Sequence, residues 1–179
     1  MPDKPSSPDQ AFRSLPIIHG AFLASAVMYV IVGEVNAWAL EPFDGHGGDS
    51  LQDKELWLRL GLLALTGLQF ALTFSVFAGD EAVDRTLRNM KQATSDAMSV
   101  AQALTTLHIL RVALLESPAI LGLVLFLLGG ERLDLYLFPG LSAAGLLLIW
   151  PKRSHWESAF RRRALTNPAI PADPWQVTG

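Results

Sequence analysis

A chain of 179 residues that is half hydrophobic and only 17% charged falls short of the roughly 25% charge of an average soluble domain. Having no cysteine, it excludes disulfides, thiol catalysis and thiolate metal sites. A net charge of −3, with no basic face interleaved with aromatics, speaks against nucleic acid as a partner.

The charges collect at 1–13, 41–55, 79–96, 131–134 and 152–163, and the stretches between are nearly bare. That is the pattern of membrane spans joined by loops. Residues 1–13 read as a disordered arm carrying Lys4 and Arg13. The first span is SLPIIHGAFLASAVMYVIVGEVNAWAL, residues 14–40. A basic start and Ala37-Trp38-Ala39 also suit a cleaved secretory signal. The apolar run, however, is far longer than the roughly 7–15 residues of such a signal, and Glu34 interrupts its end. The acidic loop EPFDGHGGDSLQDKE follows. There, His46 beside Asp44 and Asp49 could hold a divalent ion, although GHGGD reads more simply as a flexible turn.

The second span covers 56–79. Beyond it, DEAVDRTLRNMKQATSDAMSVAQAL sets Val83, Leu87, Met90, Ala97, Val100 and Leu104 at helical spacings. The plain reading is a solvated helix with a weak apolar face; the sharper one is a docking face for a partner. Neither Gly nor Pro occurs from 80 to 117, so the third helix is expected to start well inside the cytoplasm. Its membrane part is 103–130. The fourth span, 135–150, is shorter than the roughly 20 residues a crossing needs, with Tyr136 and Trp150 as interface anchors. A basic juxtamembrane segment, 151–166, follows, in which KRSHWESAFRRR combines five cations with Trp156 and Phe160. It reads as a topology anchor or as a surface for anionic lipid. Proline-rich 167–179 reads as a disordered tail. The basic residues flank the first, middle and last segments, so both termini and the middle loop are expected in the cytoplasm. The fold class is all-α: a polytopic membrane protein with four transmembrane helices in an up-down bundle, residues 14–150, the third helix extended into the cytoplasm.

Lipid tails are as apolar as leucine, so helices must associate through small residues and buried polar contacts. Gly67, Ala71 and Ser75, Gly20 and Ala24, and Gly140 and Ala144 form the small-residue faces. Counting 1.5 Å per residue from the span ends brings Ser25, Thr66 with Gln69, Glu116 and Ser142 near the midplane. A carboxylate facing lipid there costs several kcal/mol, so Glu116 must face the bundle interior or carry a proton. Once protonated it could donate to Gln69 or Thr66. Arg111 lies about 140° around the helix from Glu116 and about 7.5 Å nearer the cytoplasm. Its stem lifts the guanidinium toward the headgroups or reaches a neighbouring helix. Pro118 cannot donate to the carbonyl of Leu114. A bend and a free carbonyl are therefore expected beside the acid, which is either structural glue or a proton or cation site. His19 and His108 each lie about one turn inside the boundary. They read as polar boundary residues or as ligands of a b-type haem with Arg111 near a propionate. No phosphate loop, nucleophile elbow or zincin motif is present, so neither an enzymatic activity nor a metal centre is expected.

The run Ala113-Leu114-Leu115-Glu116-Ser117-Pro118-Ala119-Ile120-Leu121-Gly122-Leu123-Val124 resembles the carboxylate-bearing helix of the rotor ring subunit of F- and V-type ATP synthases. There a glutamate precedes apolar residues and Gly-Leu-Val and binds the transported proton or sodium. The resemblance implies Glu116 as the ion-binding position. The rotor's glycine-repeat partner helix has no counterpart: the first span holds only Gly20 and Gly33, and the second Gly61 and Gly67 before its end. The whole layout is similar to small four-span bacterial inner-membrane proteins of no assigned activity. They share Ser25 and Tyr29 on the first helix, Arg111 followed by Ala-Leu-x-Glu-x-Pro-Ala on the third, and Trp-Pro-Lys-Arg closing the fourth. The expected function is a non-enzymatic accessory subunit of a larger membrane complex, or a homo-oligomer, in the lipid bilayer of a bacterial inner membrane. The alternative is a small proton- or cation-conducting protein using Glu116 with Gln69, Thr66, Ser142 and Ser25, with Arg111 and Pro118 in support.

Overall fold

The computed structural model describes residues 7–43, 45, 49–77, 79–89, 97–129, 131–168 and 170–176. Among them the chain is all-α and holds no strand. Six α-helices follow one another: α1 (Pro8–Ala39), α2 (Asp49–Ala71), α3 (Asp80–Asn89), α4 (Ala97–Gly129), α5 (Arg132–Leu148) and α6 (Arg153–Thr166). A π-helical turn, Leu72–Val76, continues α2, and a 3₁₀ turn, Pro174–Gln176, closes the described tail. Three stretches are long and apolar enough to cross a membrane: Pro8–Ala39, Leu56–Val76 and Ala97–Gly129. A fourth exists only if α5 and α6 are counted together, because α5 alone has 17 residues. The protein is an integral membrane protein of three to four helical spans.

Several boundaries differ from the sequence expectation. The arm expected to be disordered up to residue 13 is helical from Pro8. The Ser7 hydroxyl accepts from the Gln10 amide at 3.3 Å, and Pro8 at the first helical position loses nothing by lacking an N–H. Residues 1–6 lie outside the described ones, as do 90–96 with Met90 of the expected stripe. The tail is not disordered up to Gln176: Ile170 is buried, and Trp175 Nε1 donates to Glu157 at 2.9 Å. Three aromatics (Phe12, Trp156, Trp175) hold the proline-rich segment in place, an anchoring that its overall composition conceals.

The chain divides into two compact units. The first comprises Met1–His19, Ser75–Arg111 and Trp150–Gly179. Its core gathers Phe12, Leu15, Val100, Ala101, Trp156, Phe160 and Ile170, with Leu87, Ala97 and Leu104 against it. A smaller cluster joins Ala82, Val83, Ala103 and Leu107. The stripe on α3 and α4 is therefore covered by this chain itself, neither solvated nor left open for a partner. Trp156 and Phe160 likewise point into the core, so the basic segment does not present them to a lipid surface. Arg163 bridges to Asp84 at 2.8 Å and Arg162 to Asp80 at 2.9 Å, which ties α6 to α3.

The second unit comprises Gly20–Phe74 and Val112–Ile149. It packs Val112, Leu115, Leu146 and Ile149 with Phe22, Leu23 and Phe70 in one cluster, and Ala37, Phe126 and Leu135 in another. Helices α4 and α5 approach closely at Gly122. A Cβ there would stand 2.6 Å from that of Phe138 and 2.8 Å from the Asp134 carbonyl oxygen, so only glycine fits.

Candidate functional site

Ser25 and Tyr29 are four residues apart on α1 and share one helix face. Both reach the same atom of α4. The Ser25 hydroxyl donates to Glu116 Oε1 at 2.5 Å and the Tyr29 hydroxyl donates to it at 2.9 Å. The Ser25 oxygen also lies 2.7 Å from the Phe22 carbonyl. Glu116 thus faces a neighbouring helix of the second unit, as the cost of a lipid-facing acid requires. Its partners are Ser25 and Tyr29, not the expected Gln69 and Thr66.

The carbonyl freed by Pro118 is not free. Ser117, one residue before the proline, donates its hydroxyl to the Leu114 carbonyl at 2.9 Å, the way membrane helices satisfy a proline break. Ser142, fully buried on α5, donates to the next carbonyl, that of Leu115, at 2.5 Å. Ser142 is therefore a tie between α4 and α5 rather than a ligand of the Glu116 carboxyl. The expected pair of an acid and an open carbonyl is replaced by two occupied carbonyls.

On α2 and the π-helical turn that continues it, three oxygens have no hydrogen-bond partner: Thr66 Oγ1, Gln69 Oε1 and Thr73 Oγ1, all buried. Their spacing of three and four residues puts them on one face, and Thr73 falls in the π-helical turn, a feature frequent at functional sites. Arg111 of the first unit is in a similar state, with Nε buried and unpartnered.

His19 and His108, also of the first unit, are joined directly, with Nδ1 of His19 3.2 Å from Nε2 of His108. Trp150 lies edge-on to the His19 ring at 4.8 Å between centroids. The haem reading does not fit. Two axial metal–imidazole bonds of about 2 Å each require nitrogens about 4 Å apart, with a porphyrin between the rings. Here a hydrogen bond fills that space. Among the described residues no three His, Asp or Glu side chains converge as a metal site, and His46 lies outside them.

Two interactions escaped the sequence reading. Arg59 Nε donates to Asp134 at 2.8 Å, and Asp134 is 1% exposed. Its charge puts Asp134 in the loop before the expected fourth span, but α5 begins at Arg132. The signal was its register with Leu135, Phe138 and Ser142, the buried face of α5. On the outward side, Tyr136 donates to Glu34. Comparisons with protein-family models, with curated proteins and with solved structures give no match to this chain.

Proposed function

We propose that the chain is a non-enzymatic subunit of the bacterial inner membrane, with both termini cytoplasmic, serving as a structural or accessory component of a larger complex or homo-oligomer. The observation that carries this reading is the occupancy of the Glu116 layer. Its carboxyl is bound by Ser25 and Tyr29, and the Leu114 and Leu115 carbonyls in the turn before Pro118 are taken by Ser117 and Ser142. A transport site must exchange its ligand, whereas this layer spends its polar groups in fastening α1, α4 and α5 of one unit. Buried polar contacts of this type hold helices together where the hydrophobic effect cannot.

A second reading, proton or cation handling, draws support from two observations. Thr66, Gln69 and Thr73 leave three buried oxygens unpaired. The Ser25 hydroxyl, moreover, has one proton for two acceptors, the Phe22 carbonyl and the Glu116 carboxyl. A carboxyl proton donated to Ser25 would satisfy both. This is also the chemistry implied by the resemblance of residues 113–124 to the rotor-ring helix.

Substitution separates the two. Glu116→Gln keeps a hydrogen-bonding side chain and Glu116→Ala removes it. On the structural reading the alanine variant melts at a lower temperature than the glutamine variant, and neither wild type nor variants conduct protons or sodium in liposomes. A wild-type flux that Glu116→Gln abolishes without loss of folding would reverse the order of the two readings.

A further inference from the structure

Among the described residues no acid pairs with Arg111. The ion pairs between described residues employ Arg13, Arg59, Arg153, Arg162 and Arg163, and Arg111 makes none. Its Nε is buried with no acceptor. A guanidinium inside a membrane-spanning helix is costly unless something pairs with it. No described residue supplies that partner, and an anion from outside the chain can.

The surroundings indicate which. Arg111 follows His108 by three residues on α4 and shares its face. Helical side chains lean toward the N-terminal end of their helix, so the stem of Arg111 leans back toward the His108 turn. His108 is bonded to His19, and Trp150 packs on His19. Trp150 is itself 39% exposed and is followed by Pro151, Lys152 and Arg153. An amphipathic ring two residues before a pair of cations is the signature of the headgroup level of a bilayer. The guanidinium is thus directed at a depth where lipid phosphates are the abundant anions. Its planar fork matches an oxyanion with two oxygens to offer.

We propose that Arg111, in the first unit one turn from His108 of the His19–His108 pair, binds a phosphate-type oxyanion, supplied as the phosphodiester of a lipid headgroup or as free phosphate. The site is separate from the Glu116 layer, so it stands or falls independently of the function proposed above.

The test is a titration of the full chain, delipidated in neutral detergent, with dioctanoyl phosphatidylglycerol and separately with inorganic phosphate. Thermal melting and native mass spectrometry provide the readouts. Wild type should be stabilised saturably. Arg111→Gln should weaken binding about tenfold or more, the scale of a charge-assisted contact. Arg111→Lys, which keeps the charge without the fork, should fall between the two. A response to the lipid alone assigns the anion to a headgroup, and an equal response to phosphate assigns it to a free anion; either upholds the site. Identical titrations for wild type and Arg111→Gln would overturn it. So would loss of a dimer or of a co-purifying protein in Arg111→Gln without any lipid effect, which would assign the counter-ion to another polypeptide's carboxylate. If Arg111→Gln fails to fold, Arg111→Lys decides: affinity equal to wild type overturns the proposal.

Discussion

The two units invert each other. In the first, aromatic and aliphatic side chains form most of the interior beside the buried His19, His108 and Arg163, and the exposed positions carry Arg13, Lys152, Arg153, Arg161 and Arg162, three of them paired with Asp9 or Asp80. In the second, the apolar clusters are joined by polar ties, Glu116 with Tyr29, Arg59 with Asp134, and Ser142 with Leu115, while the outside is rich in leucine, valine, isoleucine and tryptophan. Among the described residues, only Ile17, Ile109, Leu110, Trp150 and Leu165 of the exposed large hydrophobic side chains belong to the first unit; all the others belong to the second. Two solvents call for two kinds of surface. In water the apolar groups drive assembly; in hydrocarbon they gain nothing by meeting each other, and polar ties and close backbone approach must take over.

Truncating a buried phenylalanine in each unit gives the largest effect and the most direct attack on this contrast. Phe160 and Phe138 are both fully buried. Phe160→Ala should cost about 3–5 kcal/mol, the sum of lost transfer from water and the cavity left behind. Phe138→Ala loses packing only, because its unfolded reference in the membrane is already apolar, and should cost clearly less. Equilibrium unfolding in mild detergent measures both. Equal losses would mean that the two interiors are stabilised by the same force and that the contrast is one of appearance.

A charge placed on each surface tests the outsides. Leu65 on α2 and Leu165 on α6 are both exposed. Leu65→Lys sits in the Leu56–Val76 span and should cost about 3 kcal/mol of insertion free energy. Leu165→Lys should stay within about 0.5 kcal/mol, as for a water-facing substitution. Membrane-integrated yield and glycosylation-tag insertion assays check the first, and thermal melting checks the second. A neutral Leu65→Lys would break the assignment of α2 to a lipid-facing position.

What the sequence made legible follows the same division. The spans were readable because charge is expensive in oil and its absence is visible residue by residue. That Glu116 points inward was readable for the same reason. Its partners were not: matching depths gave Thr66 and Gln69, but depth says nothing about which way a side chain faces around its helix. Only the four-residue spacing of Ser25 and Tyr29 on one face of α1 carried that information, and it became decisive once α1 was known to pack against α4. Asp134 was hidden by a helix start three residues earlier than expected. The first unit was the harder one to read, since its segments come from both ends and the middle of the chain. Nothing local in NPAIPADPWQVTG indicates that Ile170 and Trp175 have a core to join.

The smallest expected effect probes the polar ties themselves. Tyr29→Phe removes one hydroxyl and keeps the ring, leaving Glu116 with Ser25 alone. Interhelical hydrogen bonds in membranes average about 0.6 kcal/mol, so the loss should be of that size. It should vanish when Tyr29→Phe is made on top of Glu116→Ala, since the acceptor is then gone. It should also be insensitive to salt, because the bond lies in a span. The exposed pair of Arg162 and Asp80 in the first unit, with side chains 57% and 46% exposed, is of comparable strength, but ions should screen it. Melting temperatures of Tyr29→Phe and Asp80→Asn at low and high ionic strength therefore separate the two solvents with two small substitutions. Salt should erase the cost of the second and leave that of the first intact. If both costs fade together, water reaches Glu116, and the second unit is not the hydrocarbon-facing, polar-cored body described above.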